Sequence, residues 1–579
     1  MSSQRVGVHS FENGVWRVVL AAWLGGLPAL LVGCGNDPSS STGTTGQSSG
    51  GSGVVVGGAD DQCAEIVANI HDTFQLQRLG QVTTVVDGVA RMNDWRRSCA
   101  AALPSLGELP ESVAGAMSSA RKENLHAANY TLRDGEHVRD AMLLRSVARY
   151  AFGPAQAGQD ELARVVRAFE FVIRTIELAP PRSRDLPLTQ YEVLLLGKGS
   201  AADRAWVFAS LLRQERMDAF LIAPGSQDQS AAESAAPFLV GVLLDERVHL
   251  FDPQLGLPIP AAVAPAENSG GPGVATLEEV VGDPALLRQL DAGPDAQYPL
   301  TAALLERPAV WLITCDPYSA DRLKLLQAEF TGAQSMVISD PLQDAADVPG
   351  LWSRVRSAGR DRWSDEAMRV WGYPEEQMSR HAALGADDQQ ALAALFLPFQ
   401  AFLTVADHPR LGHRVLVEQE EIKDPAAGIY DPEIRKNLRT TTGSQMRSRL
   451  TQLDGDFAAA VPSYHEVWRN SREVVQLGPP PAVLFLHQRA IDDASFWQAL
   501  CKFDQGEYRV AIDHCLRYQR QHEQQPEQFG VWIRQCRYLL ALSYAALKNY
   551  KDAIAELSPV ESDDPEYAAY QWRIRQWSR

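Results

Sequence analysis

Ser200, His249 and Asp252 are the residue types that could support hydrolytic chemistry in this chain. Ser200 stands where a predicted helix begins, and the other two stand on a predicted hairpin further on. A serine hydroxyl is a weak nucleophile that needs a neighbouring base, and a carboxylate can orient that base. These three residues define one candidate, a hydrolase or acyltransferase. No base for Ser200 is evident from the sequence, so we expect structural roles for Ser200 and His249 before catalytic ones.

The turn before Ser200 has the composition of a phosphate-binding loop. It reads Gly197-Lys198-Gly199-Ser200 and follows the apolar run Tyr191 to Leu196. A phosphate loop also requires a glycine five residues before the Gly-Lys pair. Glu192 occupies that position. The sequence therefore favours a plain turn in which Ser200 is the N-cap of the following helix.

The elements that must position these residues are a helix and a hairpin. An apolar helix is predicted from Ala202 to Arg216, and a strand from Met217 to Ile222. Two further strands, Phe238 to Leu244 and Val248 to Pro253, flank a turn at residues 245–247. A buried helix packed on an antiparallel sheet predicts an α+β fold, and long helical stretches elsewhere predict a mainly helical chain.

This helix and hairpin resemble the core of the transglutaminase-like family, within the papain-like thiol enzymes. The family reads Gly-x-Cys-x-Asp-x-Ala at a helix start, then has a His on one strand and an Asp at the end of the next. The matching positions in this chain are Gly199, Asp203, Ala205 and Asp252-Pro253. The family's Cys position is Ala201, and its His position aligns with Pro237.

The resemblance implies the family's fold without the family's reaction. A thiolate is the family's nucleophile, and the His transfers its proton. Ala201 offers no nucleophile, Pro237 offers no base, and Asp252 alone orients nothing. We therefore expect a pseudoenzyme with no catalytic residues and no cofactor. No Cys/His spacing indicates a metal site either.

Residues 60–265 are predicted to form one domain, with a helical segment before the transglutaminase-like core. Apolar residues recur at helical spacing between Asp60 and Pro180. His126 and His137 lie in this segment, and no carboxylate is in register with them. We therefore expect both histidines on the solvated surface.

The N-terminus has the composition of an export signal. Arg5 and Arg17 precede the apolar run Val18 to Val32, which is short for a membrane span. The run ends Leu31-Val32-Gly33-Cys34, which resembles the bacterial lipobox, whose Cys is lipidated and becomes the first residue after cleavage. The resemblance implies a signal peptide at 1–33 and a membrane anchor on Cys34. An ordinary signal peptide with a chance cysteine is the alternative.

Composition limits where the protein works and what it binds. Residues 34–59 are mostly Ser, Gly and Thr, which predicts a flexible tether behind the anchor. The net charge of −18 disfavours nucleic acid and anionic surfaces as partners of the whole protein. The expected location is the bacterial cell envelope, with the body facing the periplasm or held at the outer membrane.

Cysteine usage fits an exported protein. The chain has 7 cysteines, so 7 − 1 = 6 remain after Cys34, and an even number permits disulfides. The six are Cys63, Cys99, Cys315, Cys501, Cys515 and Cys536. We expect Cys63 with Cys99 as the first pair, because both flank the same helical segment. Free buried thiols are the alternative.

Residues 266–480 are predicted to be a mixed α/β and helical region. Its first part has a strand-helix-strand order, at Val310 to Cys315, Ala320 to Phe330 and Ser335 to Ser339. A helix is predicted from Asp387 to Ala406, and the charged stretch Arg435 to Leu453 is predicted to be an exposed face. The prolines at 479–481 predict a boundary.

Residues 481–579 contain an internal repeat. Gly506 to Ile512 recurs as Lys548 to Ile554, with an offset of 42 residues (550 − 508). The motif positions are Gly506, Tyr508, Ala511, Tyr550 and Ala553. The pattern resembles tetratricopeptide repeats (TPR), whose unit is about 34 residues, so an insert is expected near Gln521 to Gln528. A cap is expected in the last helix, whose apolar face carries Tyr567, Tyr570, Ile574 and Trp577. A generic helical bundle is the alternative.

Together these observations predict a lipid-anchored binding or scaffolding protein with an inactive transglutaminase-like core. The TPR-like repeats imply a protein or peptide partner, because such repeats bind peptides in a concave groove. The alternative is an enzyme that uses Ser200 with His249 and Asp252.

Overall fold

The structure is a computed structural model of the chain. It describes residues 59–80, 83–100, 124–153, 160–179, 185–225, 237–262, 273–294, 296–345, 348–399, 403–408, 413–418, 445–479, 481–523 and 530–579. The predicted signal peptide, Cys34 and the tether up to residue 58 lie outside the described residues.

Four helices form the first layer of the described chain. They are α1 (Ala59–Thr73), α2 (Thr84–Ser98), α3 (Leu132–Phe152) and α4 (Glu161–Thr175). Cys63 and Cys99 form a disulfide with a Cα–Cα distance of 5.6 Å, which joins α1 to the residue after α2. The expected first pair is confirmed. The other cysteines among the described residues are free and buried: Cys315, Cys501, Cys515 and Cys536.

His137 corrects the prediction that both N-terminal histidines lie on the surface. It is buried within α3, with its Nε2 2.9 Å from the Ile338 carbonyl oxygen and its ring edge-on to Tyr318. Its contacts come from a segment about two hundred residues away, which local pattern cannot show. His126 is exposed, and its Nδ1 lies 2.9 Å from a carboxylate oxygen of Asp321.

Two capped helices lead into the sheet. The elements are β1 (Glu177–Leu178), α5 (Gln190–Leu196), β2 (Lys198–Gly199) and α6 (Ala201–Gln214), with β1 and β2 paired in parallel. Thr189 and Ser200 begin the helices α5 and α6 with capping boxes. Gly197 ends α5 at a φ of 64°, a left-handed conformation that favours glycine. Ser200 is the N-cap, as predicted.

A six-stranded sheet lies beside α6. Its strands are β3 (Ala219–Ala223), β4 (Leu239–Leu244), β5 (Arg247–Asp252), β6 (Leu257–Pro258), β7 (Ala309–Leu312) and β8 (Met368–Val370). Their order is β6-β5-β4-β3-β7-β8, and every pair is antiparallel except β7 with β8. Asp245 and Glu246 both have positive φ and close the predicted β4–β5 hairpin.

Both faces of the sheet are buried, and alternate residues face opposite sides. On β3, Leu221 belongs to the core shared with α6, whereas Phe220 and Ile222 belong to a second core on the far face. The helices that follow the hairpin are α7 (Leu277–Gly282), α8 (Ala285–Arg288), α9 (Ala302–Leu305), α10 (Asp321–Glu329) and α11 (Leu351–Ala358). All of these except α10 contribute apolar residues to the far core.

The predicted strand-helix-strand unit is correct in its first two elements and wrong in its third. β7 and α10 form near the expected residues, but Ser335 to Ser339 is not a strand. The parallel partner of β7 is β8, which follows α11. Backbone N–H groups of Ile338 and Ser339 donate instead to the Gln327 side chain, so the segment forms no strand ladder. Through β7 this region extends the first sheet.

The next elements are α12 (Tyr373–Ala382), α13 (Ala386–Phe396) and the hairpin β9 (Leu403–His408) with β10 (His413–Glu418). The helix predicted from Asp387 to Ala406 therefore ends early. Pro398 lacks an amide hydrogen and disfavours helical backbone at the residue before it, so a short 3-10 turn replaces the last helical turns.

A series of antiparallel helices, here called the array, completes the chain. It contains α14 (Gln445–Leu453), α15 (Phe457–Gln476), α16 (Pro481–Asp504), α17 (Tyr508–His522), α18 (Ile533–Ala546), α19 (Tyr550–Leu557) and α20 (Tyr567–Trp577). Neighbouring helices of the array pack on each other in sequence order. The prediction of an exposed face is wrong for α14, where Arg449 is fully buried and donates to the Leu194 carbonyl oxygen. Residues 435–444 lie outside the described residues.

None of the helices that the structure describes between residues 59 and 579 combines the length and the apolar character that a bilayer span requires.

Candidate functional site

The start of α6 opens into a cavity of about 1000 Å³, here called the cleft. Ala201, Pro237 and Asp252 all line it. They come from three elements: the first turn of α6, the residues before β4, and the end of β5. The hairpin brings the last two positions to the end of the sheet beside the N-terminus of α6. The structure thus brings together the three positions that the sequence resemblance singled out, and two of them, Ala201 and Pro237, have neither a thiol nor an imidazole.

Ser200 also lines the cleft, and its hydroxyl is part of the α6 cap. Its Oγ donates to Asp203 Oδ2 at 2.9 Å and accepts from the Asp203 backbone N–H at 3.1 Å. The Tyr373 hydroxyl lies 3.3 Å away. These partners stabilise the first helical turn. No histidine is among these partners of Ser200.

His249 does not share a hydrogen bond with Ser200. It lies on β5 opposite Val242, and its Nδ1 is 3.4 Å from the Val274 carbonyl oxygen. It is not among the described residues that line the cleft. Burial lowers the pKa of His249, which keeps the ring neutral. Ser200 and His249 therefore belong to separate hydrogen-bond networks.

Asp252 is oriented by a tyrosine that sequence reasoning missed. The Tyr298 hydroxyl donates to Asp252 Oδ2 at 2.6 Å, and the Leu255 backbone N–H donates to Oδ1 at 2.8 Å. Burial raises the pKa of Asp252, and the two hydrogen bonds act against that rise. The carboxylate therefore points to Tyr298, which follows α8 and has no sequence signal linking it to β5.

One face of α12 forms another wall of the cleft. Tyr373, Glu376, Gln377 and Arg380 line it, at the i, i+3, i+4 and i+7 spacing of a single helix face. The Tyr373 hydroxyl donates to Asp203 Oδ1 at 2.9 Å, which ties α12 to the start of α6. The helical spacing of these four residues could be seen in the sequence. Their position beside α6 could not, because it depends on a contact between segments far apart in the chain.

Charges in the cleft are mostly negative. The ionisable acidic and basic residues that line it are Asp185, Asp203, Asp252, Glu376, Asp564 and Arg380. Arg380 pairs with Asp185 at 3.0 Å, at the rim. Among the described residues the cleft thus has five carboxyl groups and one guanidinium.

Lys198 lies under the array and does not line the cleft. Its Nζ forms an ion pair with Glu177 at 2.8 Å, donates to the Val531 carbonyl oxygen and lies 4.5 Å from the centroid of the Trp532 ring. Burial lowers the pKa of Lys198. The apolar run before it is a helix, so the strand that a phosphate loop requires is absent at residues 190–196.

The end of the array forms the remaining wall of the cleft. The contributing residues, at the start of α20 and just before it, are Ser562, Asp564, Pro565, Tyr567 and Ala568. Glu566, between them, accepts from Arg204 of α6 at 2.6 Å, and both side chains are buried. The cap predicted for the repeats is therefore also a wall of the cleft.

The repeat motif occupies equivalent places in two helical hairpins. Ala511 of α17 and Ala553 of α19 are fully buried. Gly506 and Lys548 precede these helices with positive φ values of 77° and 59°. Tyr508 packs against Phe503, and Tyr550 is exposed. Residues 524–528 of the predicted insert lie outside the described residues.

No group of three or more metal-ligating side chains occurs in the part of the chain that the structure describes.

Comparison with known families finds a match within the array. A sequence model of the family described as anaphase-promoting complex, cyclosome, subunit 3, a TPR-like family, matches residues 484–560. This range runs from α16 to beyond the end of α19. No curated protein and no solved structure matches the chain. The C-terminal helices are therefore TPR-like repeats, as the 42-residue recurrence predicted.

Proposed function

We propose that this protein is a lipid-anchored binding protein of the bacterial cell envelope. In this proposal Cys34 carries the anchor, the transglutaminase-like core is catalytically inactive, and the TPR-like repeats bind a protein partner. The repeats support the last element directly, because helical hairpins of this kind present surfaces for peptides and proteins.

Ala201, Pro237 and Asp252 all line one cleft. This observation is the main support for the proposal that the core is inactive. A transglutaminase-like site needs its nucleophile, base and orienting carboxylate around a shared space. Here the space persists, while the nucleophile and base positions are apolar. A cleft of about 1000 Å³ is large enough for a ligand, so the proposal is that the site binds without reacting.

The competing proposal is an enzyme that uses Ser200 as a displaced nucleophile. Its hydroxyl is held by Asp203 and Tyr373, and His249 bonds elsewhere. Treatment of the full chain with a fluorophosphonate probe separates the two proposals. We expect no labelling at Ser200. Labelling of the wild type that the Ser200→Ala variant abolishes would establish an enzyme and overturn the binding proposal.

The anchor is tested on the full chain produced in a bacterial host. Intact mass and membrane partition are compared for the wild type and the Cys34→Ala variant. We expect the wild type to carry acyl mass on Cys34 and to remain with membranes, and the variant to lose both. An unmodified Cys34 in mature protein would contradict the anchor without affecting the proposal for the cleft.

A further inference from the structure

Two buried thiols are in contact inside the array. They belong to Cys515 of α17 and Cys536 of α18, and both are free and fully buried in this structure. The Cys536 thiol lies within hydrogen-bonding reach of the Cys515 sulfur. A single buried cysteine is an ordinary small apolar side chain. Two thiols in contact are different, because they bring together the two atoms that a disulfide joins.

The register of the two helices sets the cysteines opposite each other. The backbone N–H of Trp532, the residue before α18, donates to the Tyr518 hydroxyl of α17 at 3.2 Å. Cys515 lies one helical turn before Tyr518, and Cys536 lies one turn after Trp532. Because the helices are antiparallel, these two steps lead to the same level of the helix pair. The contact between the thiols is therefore set by the packing of α17 on α18.

The chain already contains one disulfide, between Cys63 and Cys99. Disulfides form and persist in oxidising compartments and are rare where cellular thiols keep proteins reduced. A second pair of thiols in contact meets the same oxidant as the chain folds. Among the described residues, the groups that most strongly shift the pKa of Cys315 or of Cys501 include no other cysteine. The pair in the array is therefore the candidate for a second disulfide.

The surroundings of the pair keep it protonated once the array has folded. Burial and the hydrogen bond with Cys515 raise the pKa of Cys536 well above its usual range. The nearby carboxylates of Asp492 and Glu177 act in the same direction. Thiol–disulfide exchange requires a thiolate, so the folded pair exchanges slowly. Bond formation therefore belongs to the folding of the chain, before α17 and α18 are buried against each other.

We propose that Cys515 and Cys536 form a second disulfide as the exported chain folds. In this step two S–H bonds break and one S–S bond forms. The two electrons and the two protons pass to the disulfide of a thiol oxidase, which becomes a dithiol. The new bond links α17 and α18, one from each of the two hairpins that contain the repeat motif. It therefore fixes neighbouring repeats relative to each other, where otherwise side-chain packing alone determines their angle. The inference rests on export, which the proposed function includes, and is independent of the lipid anchor and of the cleft.

The test is disulfide mapping of the full chain, produced with its N-terminal segment in a bacterial host. The protein is denatured in excess iodoacetamide without reductant, digested, and analysed by mass spectrometry. We expect the two peptides of the pair in the array to be linked to each other. Their alkylation is expected to be at least about tenfold below that of Cys315 and Cys501, which report free thiols in the same sample. Reduction before alkylation is expected to abolish the linked species.

Two matched variants separate this pairing from chance oxidation. Cys515→Ala is expected to leave Cys536 alkylated, because its partner is gone. Cys315→Ala removes a buried thiol outside the array and is expected to leave the linked species unchanged. The Cys63–Cys99 bond, expected in both variants, shows that each has folded in the oxidising compartment. If Cys515→Ala does not accumulate, the mapping of the wild type still decides between a linked and a free pair.

The outcomes distinguish this inference from the proposed function. Free thiols at Cys515 and Cys536 beside an intact Cys63–Cys99 bond overturn the inference and leave export in place. Linkage of either cysteine to Cys501 overturns the inference as well. Free thiols at every one of these positions overturn both the inference and the export that the proposed function requires.

Discussion

The interface between α6 and the array contains buried charges that are paired, whereas the cleft beside it contains polar groups that are not. Arg204 and Glu566 are both buried and lie 2.6 Å apart. Lys198 of β2 pairs with Glu177 of β1 under the array, and Arg174 of α4 pairs with Asp504 of α16. Across the cleft wall, Glu376 and Gln377 face open space. The two regions are adjacent, because both include α6 and the start of α20. The difference between them is therefore not explained by their lying in separate parts of the protein.

This difference separates a region held together by internal ion pairs from a region whose polar groups are open to solvent. A buried ion pair holds only when both partners stay in place, because either charge alone is strongly unfavourable. The buried pair therefore ties the array to α6 in the folded protein. Polar groups that face the cleft can be solvated by water and need no partner within the protein. The following predictions test this division.

Removal of the Arg204 guanidinium is expected to have the largest effect. Arg204→Met leaves Glu566 buried without its cation and also removes donors to the Ile176 and Pro253 carbonyl oxygens. We expect the free energy of unfolding to fall by about 3–5 kcal/mol. Urea denaturation of the full chain measures it.

Arg360→Met is the matched control, because its pair with Glu246 is exposed. The expected loss there is below about 1 kcal/mol. Similar losses for the two variants would mean that the interface does not depend on its buried pair.

Acidification is expected to destabilise the N-terminal layer through His137. Burial lowers the pKa of His137 to about 4, whereas a histidine in the unfolded chain titrates near 6.5. Between these values the unfolded chain binds more protons, so stability falls as the pH falls. His137→Gln keeps a donor for the Ile338 carbonyl oxygen and removes the titration. We expect the variant to lose about 3 kcal/mol less than the wild type between about pH 7 and about pH 4.

The comparison with the variant is needed because other groups titrate in the same range. Burial raises the pKa of Asp140 and of Asp492 to about 6, and these carboxyls stabilise the fold as the pH falls. Both are present in the two proteins, so the difference isolates His137. Identical pH profiles would contradict a buried, neutral His137.

The two repeat turns provide the smallest and most closely matched test. Gly506 and Lys548 share a left-handed backbone, which costs a lysine about 1 kcal/mol relative to glycine. Lys548→Gly is expected to raise the free energy of unfolding by up to about 1 kcal/mol, and Gly506→Ala to lower it by a similar amount. A Cβ at Gly506 meets no atom within 4 Å, so the change reports the backbone alone. Opposite signs, measured by thermal unfolding, are the expected result.

The features that could be predicted from the sequence are those set by neighbours in the chain. The Ser200 cap, the β4–β5 hairpin and the repeat turns follow from capping, alternation and turn chemistry at a few adjacent positions. The Cys63–Cys99 disulfide could be predicted for the same reason, since both residues flank one helical segment.

What could not be predicted depends on distant segments. Tyr298 reaches Asp252, Tyr373 reaches Asp203, and Glu566 reaches Arg204, and none of these partners is marked by local spacing. For the same reason β8 could not be identified as the partner of β7. The sequence therefore predicted that Ala201, Pro237 and Asp252 lie together, but not that α12 and the segment before α20 line the same cleft.

The most direct test of the proposed transglutaminase-like core introduces a thiol and an imidazole into the cleft. The Ala201→Cys variant puts a thiol in the first turn of α6, where the helix N-terminus lowers its pKa. The double variant Ala201→Cys/Pro237→His adds an imidazole at the aligned base position. Iodoacetamide alkylation of each is measured against pH, with the wild type as background, since the free cysteines among the described residues are buried.

If the cleft retains a transglutaminase-like arrangement, the thiolate and the imidazolium stabilise each other in the double variant. At about pH 7 its introduced thiol should then react about fivefold faster than that of the single variant. Superimposable pH profiles for the two variants would contradict the account, because Pro237 would then not lie where a base could act on position 201.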